Sequence, residues 1–142
     1  MYLGELTRYI LLEATEKGLL FEGRSEALEI LRKKDVFLTR HISEIEADEV
    51  GDYTSCLSVL TELGLGRLVC PSDCALLKYI AQSVAIRAAV LAAAGVAALL
   101  NKMGRRNVTV GMDGSLYKFH PHFQVGWQSD NSHLSVLTPL YF

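Results

Sequence analysis

Apolar residues in the N-terminal part of the chain recur at intervals of three and four, which is the spacing of α-helices. This pattern predicts a first helix over about residues 2–17, closed by Gly18. Its apolar face comprises Leu3, Leu6, Ile10 and Ala14. Residues 19–21 predict a buried connection, and a short second helix follows over residues 25–31 with Ser25 at its start.

Three further helices are predicted downstream. One lies around Ser43, because Ser43 and Glu46 have the spacing of a capping box. Another carries leucines on one face over residues 52–63 and ends at Gly64. The longest covers about residues 71–103 and begins at a proline, and small residues in its second half predict close packing against another element.

The C-terminal part of the chain has the pattern of strands. Residues 107–111 alternate and contain β-branched side chains, Asp113 and Gly114 form a tight-turn signal, and residues 116–119 read as a second strand. Helices followed by a C-terminal β-hairpin predict a mostly helical α/β fold that is part of a larger domain.

The long helix raises the question of a membrane span. Residues 88–100 form an uninterrupted apolar run, which is shorter than the roughly 20 residues that a bilayer span requires. Extending the run backwards meets Arg87, Gln82 and Lys78. The sequence therefore predicts a buried helix of a soluble domain and no membrane segment.

Charge and cysteine content exclude other classes. The net charge is −2, from 14 basic and 16 acidic residues, whereas nucleic-acid binders usually carry a basic excess. Three cysteines cannot all pair within one chain, and the N-terminus has no secretory signal, so we expect reduced thiols and a cytoplasmic protein. Cys70 and Cys74 lack a second ligand pair, so no metal site is predicted.

The most informative local chemistry lies at residues 111–115, where two glycines flank Met112 and Asp113 and a serine follows. Glycine lets a ligand approach the main chain, and a serine hydroxyl with exposed N–H groups can bond ribose or phosphate oxygens. Taken alone, the same residues are also typical of an ordinary hairpin turn.

Four segments in the same order resemble the eukaryotic hexokinases. They are residues 1–23 (MYLGELTRYILLEATEKGLLFEG), 37–49 (FLTRHISEIEADE), 83–98 (SVAIRAAVLAAAGVAA) and 107–123 (NVTVGMDGSLYKFHPHF). The resemblance implies part of the large lobe of an actin-like, ribonuclease H-like ATPase fold. It covers residues 1–123, and we expect residues 124–142 to be a divergent, disordered tail.

The resemblance also implies nucleotide contacts. Thr39, Arg40 and Ser43 match residues that line the adenine and phosphate side of the family's pocket, with arginine in place of lysine. Further contacts are implied for Met1, beside the adenine, and for the loop of Asp113, Gly114 and Ser115. The implied activity is phosphorylation of glucose or another hexose by ATP with magnesium, in glycolysis.

The family's catalytic aspartate, most of its sugar-binding residues and its Gly-Ser-Gly-Lys-Gly loop have no counterpart in the sequence. The magnesium site is likewise implied to lie outside it. We therefore expect part of an adenosine pocket without turnover. The alternative is a non-catalytic regulatory or scaffold domain that binds a protein partner.

Overall fold

The computed structural model describes residues 2–49, 51–104, 108–111 and the backbone of 135–137. Its helices are α1 (Tyr2–Glu16), α2 (Ser25–Leu31), α3 (Thr39–Ala47), α4 (Thr54–Glu62) and α5 (Pro71–Met103), with a 3₁₀ turn at Phe21–Gly23. Its strands are β1 (Thr109–Gly111) and β2 (Ser135–Leu137). The chain divides into two compact units, Met1–Ala85 and Ile86–Phe142.

The first unit has its own hydrophobic core, built where α1 meets α2 and α3 and where α3 meets α4. Its largest fully buried apolar side chains are Leu11, Leu20, Phe21, Leu31, Phe37, Ile42, Ile45, Leu60, Leu65 and Leu77. Phe21 is fixed at the backbone as well, because its N–H donates to the buried Asp73 carboxylate over 3.1 Å. This core holds the start of α3 against α1.

Helix α1 forms where the periodicity predicts it, and Leu3, Ile10 and Ala14 of the predicted face pack against the core, each partly buried. The buried residues are Gly4, Thr7, Arg8, Leu11 and Thr15, whereas Leu6 of the predicted face is exposed. Thr7 and Thr15 can be buried because their hydroxyls donate to main-chain carbonyls four residues back, over 2.9 and 2.7 Å. The buried face of α1 therefore extends beyond the predicted apolar residues onto polar side chains whose hydrogen bonds are satisfied.

The predicted capping box at the start of α3 is wrong. The helix begins at Thr39, so Ser43 lies inside it. The amide of Leu38 instead donates to Nδ1 of His41 over 3.0 Å, and the amide of His41 donates to the carbonyl of Leu38 over 3.1 Å. An imidazole fills the position that glutamate usually takes in a capping box.

Helix α4 ends as predicted just before Gly64, whose φ of 80° closes it. Its buried face comprises Cys56, Val59 and Leu60, and Leu57 of the predicted face is exposed. The start of α4 is capped from α3, since the Asp48 carboxylate accepts from the amides of Ser55 and Cys56, each over 3.0 Å.

Helix α5 has the predicted bounds, but its second half is not a buried helix. Only a narrow stripe, including Ala85, Ala89 and Ala93, is buried, while the large apolar residues Ile86, Val90, Leu91, Leu99 and Met103 are exposed. By length and composition alone α5 could cross a membrane. An 18-residue window within it has a mean hydropathy of 2.1, and 22% of that window is buried. The absence of a membrane segment therefore stays a prediction.

The strands in the described residues pair in parallel, with Val110 opposite Val136. The second strand of the predicted hairpin, residues 116–119, lies outside the described residues. Of the predicted tail, residues 124–142, the structure describes only the backbone of β2. The domain boundary after Phe123 accordingly stays a prediction.

Candidate functional site

Three of the residues implied to contact nucleotide, Thr39, Arg40 and Ser43, lie together in the first turns of α3. The other four, Met1, Asp113, Gly114 and Ser115, lie outside the described residues. Thr39 and Ser43 are four positions apart and therefore share a face of the helix. The described part of the site is thus the N-terminal end of α3 with two hydroxyls and a cation.

The start of α3 is positioned by direct backbone contact with α1. The N–H of Gly4 donates to the hydroxyl of Thr39 over 3.3 Å. A Cβ atom at Gly4 would lie 2.4 Å from the carbonyl oxygen of Phe37 and 2.8 Å from the amide nitrogen of Thr39. Only glycine permits this approach, so Gly4 determines where the Thr39 hydroxyl lies.

The loop that leads into α3 is anchored by a buried cation on α1. Arg8 donates to the Glu5 carboxylate over 2.9 Å and through Nη1 to the carbonyl of Leu31 over 2.5 Å. The same carboxylate accepts from the amide of Asp35 over 2.7 Å, where the chain turns through a φ of 58°. The hydrogen bond from Arg8 lowers the pKa of Glu5, so the carboxylate stays charged and holds the loop.

His41 is a buried, neutral part of the same helix start. Because Nδ1 accepts from the Leu38 amide, the ring proton of the neutral imidazole lies on Nε2. Burial lowers the pKa of His41, and the ring packs edge-on against Phe37 at a centroid separation of 5.2 Å. Nε2 lies 3.6 Å from Oε1 of Glu62 on α4.

Arg40 is half-exposed, and its guanidinium is engaged by two carboxylates. Nη1 lies 3.3 Å from Glu44 of the same helix, and Nη2 contacts Glu62 of α4. The hydrogen bond with Glu62 raises the pKa of Arg40 and lowers that of Glu62, so both groups stay charged. The cation implied to face a nucleotide thus makes ion pairs within the protein.

Other reactive groups in the described residues do not form a second site. No group of three or more histidine, cysteine, aspartate or glutamate side chains in that part of the chain could hold a metal ion. Cys56 and Cys74 are buried, and the thiol of Cys56 lies 3.8 Å from the carbonyl of Cys74. Burial raises the pKa of Cys56, which keeps it a protonated, unreactive thiol.

Known proteins share sequence similarity with most of this chain. A family model described as hexokinase matches residues 1–135. Human hexokinase-1 is 43% identical over 129 residues, and Schistosoma mansoni hexokinase is 41% identical over 123 residues, each covering 87% of this chain. The chain belongs to the hexokinase family.

A solved structure supports the fold in the same way. Hexokinase from Schistosoma mansoni complexed with glucose aligns with 99% of this chain, at a TM-score of 0.87 and 36% sequence identity. The fold is therefore part of the actin-like hexokinase lobe, as predicted. The chain spans 14% of human hexokinase-1, 27% of the Schistosoma protein and 32% of the solved chain.

The sequence interpretation missed the residues that position the site: Gly4, Glu5, Arg8, His41 and Glu62. Gly4 had a signal, because a glycine inside a helical pattern costs stability unless close packing requires it. Glu62 had none, since its contact with Arg40 joins residues 22 positions apart on different helices.

Proposed function

We propose that this chain forms part of the adenosine-nucleotide pocket of a hexokinase-type sugar kinase. The observation that supports the proposal is the fixed start of α3, where Gly4 holds the Thr39 hydroxyl. Hydroxyl groups and the N-terminal amides of a helix are suited to ribose and phosphate oxygens. Arg40 adds the positive charge that phosphate groups require.

In this proposal the nucleotide is ATP or ADP, with magnesium as the partner of its phosphates. The described residues of the site supply two hydroxyls and a cation, which fit the nucleotide itself and not a divalent metal ion. Magnesium would thus be held by the phosphates and by groups other than Thr39, Arg40 and Ser43. We also propose a cytoplasmic location.

The proposed acceptor is a hexose, in line with the glucose-complexed relative, of which this chain covers 32%. Because the resemblance places the catalytic aspartate outside this sequence, we propose that the chain alone binds nucleotide without phosphorylating glucose. A coupled assay with glucose, ATP and magnesium tests this statement. Turnover that persists through further purification would contradict it.

Nucleotide binding is tested by titrating the chain with ADP in an NMR or calorimetric experiment. We expect a dissociation constant in the millimolar range, because few contacts surround the ligand. This corresponds to a binding free energy of about 4 kcal/mol. Thr39→Val should weaken binding. The matched control is Thr61→Val on α4, whose hydroxyl donates to the Leu57 carbonyl over 2.7 Å. Equal affinities for the two variants would contradict the proposal.

The second candidate is a non-catalytic domain that binds a protein partner. It is favoured by one observation, the exposed apolar residues on the second half of α5, such as Ile86, Leu91 and Leu99. This function predicts partner binding that does not change with nucleotide. A pull-down of the partner, repeated with and without ADP, separates the two candidate functions. ADP at about 10 times its dissociation constant would occupy about 90% of the nucleotide sites.

A further inference from the structure

Glu62, the last residue of α4, faces two functional groups of α3. Its Oε1 contacts Nη2 of Arg40 and lies 3.6 Å from Nε2 of His41. Glu44 also pairs with Arg40, but it lies on the same helix four residues away and moves with it. Glu62 is the carboxylate that ties Arg40 to a different helix.

This pairing conflicts with phosphate binding. A guanidinium presents a planar fork of donors, and the donors that face a carboxylate are not available to a phosphate group. A nucleotide must therefore displace Glu62 from Arg40 or bind beside an arginine whose charge is already balanced. Both routes weaken the binding of phosphate groups and leave the binding of an adenosine base and ribose unaffected.

We propose that Glu62 is a positioning residue that holds Arg40 in an ion pair and thereby sets how strongly the phosphate end of a nucleotide binds. The inference rests on the proposed nucleotide site. Both side chains are about half exposed, 51% for Arg40 and 50% for Glu62. Exposed ion pairs are weak, so removing the carboxylate should strengthen phosphate binding only about two- to fivefold.

The experiment compares three ligands with three proteins. The ligands are ADP, adenosine and tripolyphosphate, which together separate the base and ribose from the phosphates. The proteins are the wild-type chain, Glu62→Gln and the control Glu22→Gln. Glu22 is also exposed and is paired with an arginine, Arg24, over 2.8 Å. Its variant therefore removes one negative charge at a position outside α3.

The expected result is that Glu62→Gln binds ADP and tripolyphosphate about two to five times more tightly than the wild type. Its affinity for adenosine should equal that of the wild type. Glu22→Gln should leave all three affinities unchanged. Circular dichroism checks that both variants keep their helix content.

Two outcomes overturn the inference: no gain in tripolyphosphate or ADP affinity for Glu62→Gln, or an equal gain for Glu22→Gln, which would reflect net charge alone. Failure of the nucleotide site itself has a different signature. In that case neither adenosine nor ADP shows base-dependent binding to any of the three proteins, while tripolyphosphate still reports whether Glu62 controls Arg40.

Discussion

The N–H of Gly4 donates a hydrogen bond to the hydroxyl of Thr39, which joins the start of α1 to the start of α3. The hydroxyl that the family resemblance assigns to nucleotide contact is thus oriented by a residue 35 positions away. Its position depends on the missing side chain at Gly4, because a Cβ there would overlap the backbone at Phe37 and Leu38. Packing of the two helices and geometry of the site are therefore coupled.

This coupling predicts that Gly4→Ala destabilises the fold by about 1–3 kcal/mol, the cost of forcing an extra carbon into a close-packed contact. It should also weaken ADP binding, since the start of α3 must move. Denaturant unfolding and ADP titration measure the two effects. The control is Gly95→Ala in α5, where nothing lies within 4 Å of the added carbon, and a small gain of up to about 1 kcal/mol is expected.

The Glu5 carboxylate predicts a specific dependence of stability on pH. Its hydrogen bond from Arg8 lowers its pKa below the ordinary 4.5, so the folded state binds the proton less readily than the unfolded state. The stability that Glu5 contributes is therefore full above about pH 4.5 and is lost as the pH falls through the lower pKa of the folded state.

We expect the difference in unfolding free energy between wild type and Glu5→Gln to shrink on acidification over this range. Urea unfolding at several pH values from neutral to strongly acidic measures the difference. Glu13→Gln, which removes an exposed pair with Lys17, should change stability much less at neutral pH. A constant difference between wild type and Glu5→Gln at all pH values would contradict the prediction.

His41 predicts a second pH effect with the same sign. Burial lowers its pKa below the ordinary 6.5, so on acidification the unfolded state takes up the proton first. Stability is full above about pH 6.5 and declines as the pH falls from there to the pKa of the folded state. Protonation of Nδ1 would also remove the acceptor for the Leu38 amide.

An NMR titration should show His41 changing its chemical shift below pH 6.5, and this decline in stability should be absent in His41→Gln. Assignment follows from the signal that the variant lacks. A His41 signal that titrates at or above pH 6.5 would show that burial does not lower the pKa of this ring in the folded state. That result would contradict the predicted decline in stability on acidification.

Helix ends were predictable from the sequence because local residue types produce them. Gly64 closes α4 with a positive φ, and Pro71 begins α5 as predicted. Periodicity alone predicted only part of an α/β domain. The actin-like fold class came from the family resemblance. Residue types that act within one turn are therefore sufficient for most helix bounds.

The burial of polar residues on α1 and the start of α3 were not predictable, because both depend on contacts that are distant in sequence or chemically uncommon. Arg8 is buried since the Leu31 carbonyl, 23 positions away, accepts from it. Periodicity places an arginine on the solvent side in the absence of that partner. An imidazole acceptor at His41 likewise falls outside the usual capping residues.

The exposed apolar residues of α5 predict self-association of the purified chain. Leu91 and Leu99 are 59% and 63% exposed, and contiguous exposed apolar surface favours association between molecules. We expect the double variant Leu91→Gln with Leu99→Gln to shift sedimentation toward the monomer while the helix content is unchanged. As a control, Leu77→Gln should destabilise the fold by about 3 kcal/mol or more, because it places an amide in the core. A wild-type chain that sediments as a monomer at all concentrations would contradict the prediction. Flotation of the chain with lipid vesicles would show that α5 associates with a membrane instead.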